Sequence, residues 1–152
     1  MGTFGKSIAT SGAFVACDEL LADYLVNFSR HYIYSTAISP ALAWATKKSI
    51  AIIQHEHWRR EKIAELSQLL ASKISDKIQL ITNSSSIHAI VIGDEITTLE
   101  VCKKLREKGI WLTAIRPPTV PNKSSRLRVT VTSSHETKDI NYLANCINEV
   151  II

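Results

Sequence analysis

Apolar and polar positions along the chain follow two periods. In ELLADYLVNFSR, Leu20, Leu21, Tyr24, Leu25 and Phe28 recur at helical spacing, and Asp18 just ahead of them suits an N-cap. GAFVAC (12–17) before it predicts a short buried strand. HYIYSTAISPA after it, β-branched and aromatic and ended by Pro40, predicts an extended connection. A helical pattern without glycine or proline then runs from Ala41 to about Lys73, with Ile50, Ile53, Ile63, Leu66 and Leu70 as its candidate buried side.

The second half changes character. SSSIHAIVIGD predicts a strand, and EITTLEVCKKLREKGI an amphipathic helix with Leu99, Cys102 and Leu105 inward, closed by Gly109. WLTAIRPP is a further extended segment. SRLRVTVTSS alternates cleanly, with Arg126, Arg128, Thr130 and Thr132 on one face and Leu127, Val129 and Val131 on the other. HETKDINYLANCINEVII predicts a closing helix. The order implies a small antiparallel sheet covered by helices from about residue 76 onward. The first 40 residues, one strand and one helix, cannot bury their own faces, so they look like the end of something larger.

Composition narrows the function classes. The chain has 152 residues, 45% hydrophobic and 21% charged, as a globular rather than a disordered chain does. No apolar run approaches bilayer length and no secretory pattern opens the chain, so a cytoplasmic protein without a membrane partner is expected. The net charge of +4 is mild and spread out, and only WRREK (58–62) mixes an aromatic with clustered bases, so nucleic-acid binding is not expected. Cys17, Cys102 and Cys146 are widely spaced and odd in number, which predicts buried or half-buried thiols rather than disulfides or zinc. His55 and His57 lie two apart on a helix and face different ways, so no metal site is expected.

The candidate chemistry sits in MGTFGKSIATSG. Gly5-Lys6-Ser7 has the ending of a phosphate-binding P-loop, but Gly2 and Gly5 have two residues between them where that motif needs four, and no strand precedes them. The alternatives are a solvated surface lysine or a lysine that binds a carbonyl cofactor, with hydroxyls on Thr3, Ser7, Thr10 and Ser11 to hold a phosphate.

TFGKS followed by SGAFVAC, ADYLVNFSRHYIYSTAISPA, and LREKGIWLTAIRPPTVPNKSSRLRVTVTSSHETKDINYL resembles the α-oxoamine synthases, pyridoxal-phosphate (PLP) enzymes of the aspartate-aminotransferase fold. The resemblance implies an α/β fold: residues 1–40 as the end of the large PLP-binding domain, 41–75 as a long bridging helix, and 76–152 as a small C-terminal α+β domain. It implies that Lys6 carries PLP and removes the substrate's α-proton. Thr3 would bond the cofactor phosphate, Thr36 would reach the phosphate in a neighbouring subunit, and Arg128 would grip the substrate carboxylate. The string IRPPTVP matches the biotin-pathway member, which implies L-alanine and a pimeloyl thioester as substrates, in a homodimer or with a separate N-terminal half. Glycine- or serine-using chemistry and an inactive C-terminal fragment are the alternatives. Three features depart from the pattern. Ala9 stands where family loops carry glycine, Ser39-Pro40 stands where a proline pair is more usual, and the chain opens five residues before the lysine, so that Met1 reads as an internal methionine of a longer enzyme.

Overall fold

A computed structural model describes all residues, Met1–Ile152. The chain forms two units, Met1–His57 and Trp58–Ile152.

The first unit begins with an antiparallel pair, β1 (Gly2–Thr3) and β2 (Ala13–Phe14), in the register Gly2↔Phe14 and Thr3↔Ala13. The strand expected over 12–17 is thus a two-residue rung, and it is exposed rather than buried. Two strands with no covering layer have nothing to be buried against. Helix α1 (Glu19–Phe28) starts as predicted, with the Leu21 amide donating to Asp18 Oδ1 at 2.8 Å. The connection expected to be extended contains a single helical turn, α2 (Arg30–Ile33), before an irregular run over 34–39. Pro40 does not end a segment but opens helix α3 (Pro40–His55) at a first-turn position, where its missing N–H costs nothing. Among the three helices only Thr46 is buried, and Leu20, Phe28, Tyr34 and Trp44 all stand largely exposed. The first unit has no hydrophobic core of its own.

The helical run expected to be continuous from Ala41 to Lys73 is two helices, α3 and α4 (Trp58–Lys73). Glu56, at φ −104° and ψ 64°, leaves the helical basin between them. No glycine or proline marks the break. His55 and His57 flank it, and histidine is only a middling helix former. The expected stripe divides with the helix. Leu66 and Leu70 are buried, but Ile53 is exposed.

The second unit is a four-stranded antiparallel sheet with helices. Its strands are β3 (Leu80–Ile81), β4 (Ile87–Gly93), β5 (Thr113–Ile115) and β6 (Ser125–Thr130), in the spatial order β3-β4-β6-β5. The short β3 had no signature in the sequence. Helices α5 (Glu95–Glu107) and α6 (Thr137–Ile151) complete the unit with α4. Asp94 caps α5 by accepting from the Thr97 amide at 2.8 Å and the Thr97 hydroxyl at 2.9 Å, and those bonds hold its carboxyl below the usual carboxylate range. Gly109, at φ +80°, ends α5 in the left-handed conformation that glycine adopts freely, as its place in the sequence predicted. On α5 the inward residues are Thr98, Val101 and Leu105. Leu99, expected inward, is exposed, and Cys102 is half-buried. Of the other cysteines Cys146 is buried, as expected, while Cys17 is exposed.

The core is built from Leu66 and Leu70 of α4, Ile90, Leu127, Val129 and Val131 from the sheet region, Leu105, and Ile140, Ala144 and Ile147 of α6. Each fully buried Leu or Ile among them contributes about 2 kcal/mol through water exclusion. No helix is long and apolar enough to cross a membrane.

One polar side chain shares this core. His88 on β4 is 1% exposed, its Nε2 lies 2.9 Å from Ser67 Oγ on α4, and its Nδ1 has no partner. Burial pushes the imidazole below its ordinary value, so the fold favours the neutral ring. Below about pH 6.5 the unfolded chain takes up the proton more readily than the folded one, and stability then falls with pH. Urea denaturation followed at pH 7.5 and at pH 5.5 should give a lower midpoint at pH 5.5, and His88→Asn should reduce that difference. An unchanged difference in the variant would assign the acid sensitivity to other groups.

Candidate functional site

The N-terminal hairpin shapes a tight loop around Lys6. Its neck is closed by the Phe4 amide donating to the Gly12 carbonyl at 2.9 Å and the Thr10 amide donating to the Phe4 carbonyl at 3.0 Å. Within it, a turn brings the Ala9 amide to the Lys6 carbonyl at 2.9 Å. Phe4 and Phe14 stack with ring centroids 5.6 Å apart. Phe14 lies so close over Gly2 that a Cβ there would meet its ring at 2.6 Å and force the ring to move.

The loop is also tied to α3. The hydroxyls of Thr10 and Thr46 lie 2.8 Å apart, and Thr46 Oγ1 is also 2.8 Å from the Leu42 carbonyl. A hydroxyl has one proton, so Thr46 donates to Leu42 and accepts from Thr10. Thr46 is the single buried residue of these helices, which makes this contact the loop's anchor. The sequence marked Thr10 as one of four loop hydroxyls, and nothing in it marked Thr46.

On that frame the Lys6 side chain is exposed, with no hydrogen bond or ion pair to its amine, and Thr3 and Ser7 are exposed beside it in sequence. Thr36 lies in the irregular run before α3, exposed and without a hydrogen bond, next to Ser35, whose hydroxyl donates to the His31 carbonyl. The structure therefore brings Lys6 and Thr3 onto one hairpin and keeps Thr36 in the same unit.

Arg128 belongs to the second unit. It sits on β6 between Ala89 of β4 and Thr113 of β5, on the sheet face opposite the core. The alternation read from the sequence holds, since Leu127, Val129 and Val131 are buried while Arg128, Thr130 and Thr132 are exposed. The small side chains flanking Arg128 leave its guanidinium room to meet a carboxylate with two parallel bonds. Its neighbour on that face, Arg126, is half-buried and committed, with Nε donating to the Ser124 carbonyl at 2.9 Å. Arg116, in IRPP, pairs with Glu95 at 2.5 Å. No group of three or more His, Cys, Asp or Glu gathers where a metal could be held.

Comparison with known proteins gives this geometry a lineage. Residues 1–147 match the family described as aminotransferase class I and II. The chain belongs to that family. A curated relative, the 8-amino-7-oxononanoate synthase of Photobacterium profundum, is 46% identical over 98% of this chain. The match takes in 38% of that relative's own length, its C-terminal portion. Among solved structures, 8-amino-7-oxononanoate synthase from Francisella tularensis superposes with a TM-score of 0.81 at 24% identity, over 97% of this chain and 43% of that one. Serine palmitoyltransferase from S. paucimobilis, with bound PLP–myriocin aldimine, gives a TM-score of 0.87 at 22% identity, over 98% and 38%. The α/β architecture with its small antiparallel sheet is therefore the aminotransferase class I and II fold expected from the sequence, and the resemblance to α-oxoamine synthases is borne out by these relatives.

Within this aminotransferase-family loop one residue is at odds with its backbone. Ala9 sits at φ +56° in the left-handed region. A Cβ there costs about 1 kcal/mol that glycine does not incur. Ala9→Gly should relax the turn and slow hydrogen exchange at the Thr10 and Phe4 amides by about fivefold. Unchanged or faster exchange would show that the methyl is not strained.

Proposed function

We propose that this chain is the lysine-bearing portion of a PLP-dependent acyltransferase that condenses L-alanine with a pimeloyl thioester, losing carbon dioxide, to form 8-amino-7-oxononanoate. The observation that carries the reading is the 46% identity over 98% of the chain, beside a family match over residues 1–147 that includes Lys6 and Arg128. The chain spans about 38% of that relative's length, so the proposal requires the remaining pocket groups to come from polypeptide outside these 152 residues. In this reading residues 1–40 are the end of the cofactor domain and 76–152 the small domain.

The residues present fit the cofactor. Lys6 offers an amine free of competing hydrogen bonds or ion pairs, on a loop pinned by its neck and by Thr46, with the exposed hydroxyls of Thr3 and Ser7 in the same hairpin. PLP, when bound, supplies an electron sink for the pair left on the substrate's α-carbon. Lys6 would hold the group covalently, and its Nζ would take the α-proton of the amino acid. Thr3 would donate a hydroxyl hydrogen bond to the phosphate, and Thr36 would do the same for the neighbouring subunit of a homodimer. Arg128 pairs bidentately with the substrate carboxylate and so fixes which bond of the α-carbon is presented. The reaction belongs in the cytoplasm with the other soluble steps of a small-molecule pathway.

A second reading, a serine-using member of the same class, is supported by the superposition on serine palmitoyltransferase. The two differ in amino acid and acyl chain, not in the roles of Lys6 and Arg128.

The test supplies the chain with PLP and a polypeptide matching the remaining length of the Photobacterium profundum relative, followed by borohydride reduction and peptide mapping. The phosphopyridoxyl group should appear on the Lys6 peptide, and Lys6→Ala should abolish both label and product. Arg128→Ala should keep the label but raise KM for L-alanine by about tenfold to a hundredfold, the worth of a charged hydrogen-bonded pair. Labelling confined to other lysines would sink the assignment of Lys6, and turnover with serine in place of alanine would favour the second reading.

A further inference from the structure

The second unit holds a cavity of about 580 Å³ between α4 and the run of three serines, 84–86, that leads into β4. Ser67 and His88 both line it, and none of its lining residues is an aspartate or glutamate. Neither residue has a part in the chemistry assigned to Lys6, Thr3, Thr36 and Arg128.

Two core contacts fix the pair. Leu66 and Leu70, buried on either side of Ser67 along α4, set the rotation of that helix. The ladder pairing His88↔Val129 sets the height and face of the imidazole. The result is the 2.9 Å approach of Ser67 Oγ to His88 Nε2.

The contact admits two tautomers, and in either one the buried Nδ1 lacks a partner. When Ser67 donates to Nε2, the imidazole stands as base to the serine.

We propose that Ser67 is an activated nucleophile, an acylation site for activated carboxylic esters that enter this cavity, with His88 as its base. Ser67 Oγ adds to the ester carbonyl and forms the new Oγ–C bond. The bond from that carbon to the leaving oxygen breaks, and the hydroxyl proton passes through His88 Nε2 to the departing group. Oγ remains acylated, and no oxidant or second reactant is consumed. Burial of His88 favours the neutral ring, so a lone pair is present to receive that proton, while the same burial makes the ring a weaker base. No carboxylate orients the ring from Nδ1, so the acceleration is that of a single positioned base, about a hundredfold.

The probe is p-nitrophenyl acetate with the full 152-residue chain at pH 7.5, following nitrophenolate release and mapping the acetyl group by peptide mass. Acetylation should occur at Ser67 faster than at Ser84, Ser85 or Ser86, vanish in Ser67→Ala, and slow about a hundredfold in His88→Gln. Ser67 acetylated no faster than those serines, or an unaltered rate in folded His88→Gln, overturns the proposal. Should His88→Gln fail to fold by circular dichroism, the comparison with Ser67→Ala decides: a wild-type release rate less than tenfold above it overturns the proposal, and a larger excess supports it.

Discussion

The ladder between β4 and β6 is the constraint from which the second unit follows. Six residue pairs, from Ile87↔Thr130 to Gly93↔Ser125, fix which side chains of each strand face inward. Because side chains alternate with a period of two, placing Leu127 and Val129 in the core forces Arg126 and Arg128 to the other face. A one-residue slip would bury a guanidinium among Ile90, Leu105 and Ile147, at a cost no helix packing could offset. The same register that builds the core therefore presents the candidate substrate arginine. It also carries His88 inward opposite Val129, which is why a titratable ring shares the core with aliphatic side chains.

The first unit is held by different means. It has no buried hydrophobic side chain, and its only buried helical residue is a threonine. Its order comes from local devices: the hydrogen-bonded neck of the Lys6 loop, the stacked Phe4 and Phe14, the cap at Asp18, and the Thr10–Thr46 contact. The large exposed apolar side chains of α1 and α3 are far more than an ordinary surface carries. These local bonds fix the backbone at Lys6 while leaving its side chain exposed.

Most of the second unit was legible in the sequence because its signals were redundant. Strand β6 alternated without exception, α1 carried an N-cap aspartate and α5 a terminal glycine, and each was confirmed where it was expected. The failures have physical causes. Leu99 is apolar but lies one position off the 98–101–105 stripe, where Thr98 can be buried because its hydroxyl bonds back to the Asp94 carbonyl. The break after His55 has no glycine or proline to announce it, so periodicity alone ran straight through. Strand β3, two residues long, is created by its pairing with Ala89 and Ile90 and has no pattern of its own.

By itself the sequence determined the lysine loop, the arginine strand, the helix caps and the family, because each is written in residue types at short spacing. Tertiary structure alone decided that Ala9 takes a left-handed backbone, that Thr46 anchors the loop from 36 residues away, and that Ser67 meets His88 across 21. Those features depend on how loops close and how a helix is rotated over a sheet. Such geometry is set by the burial of other residues, Leu66, Leu70 and Val129 among them, and leaves no local mark on the residues it brings together.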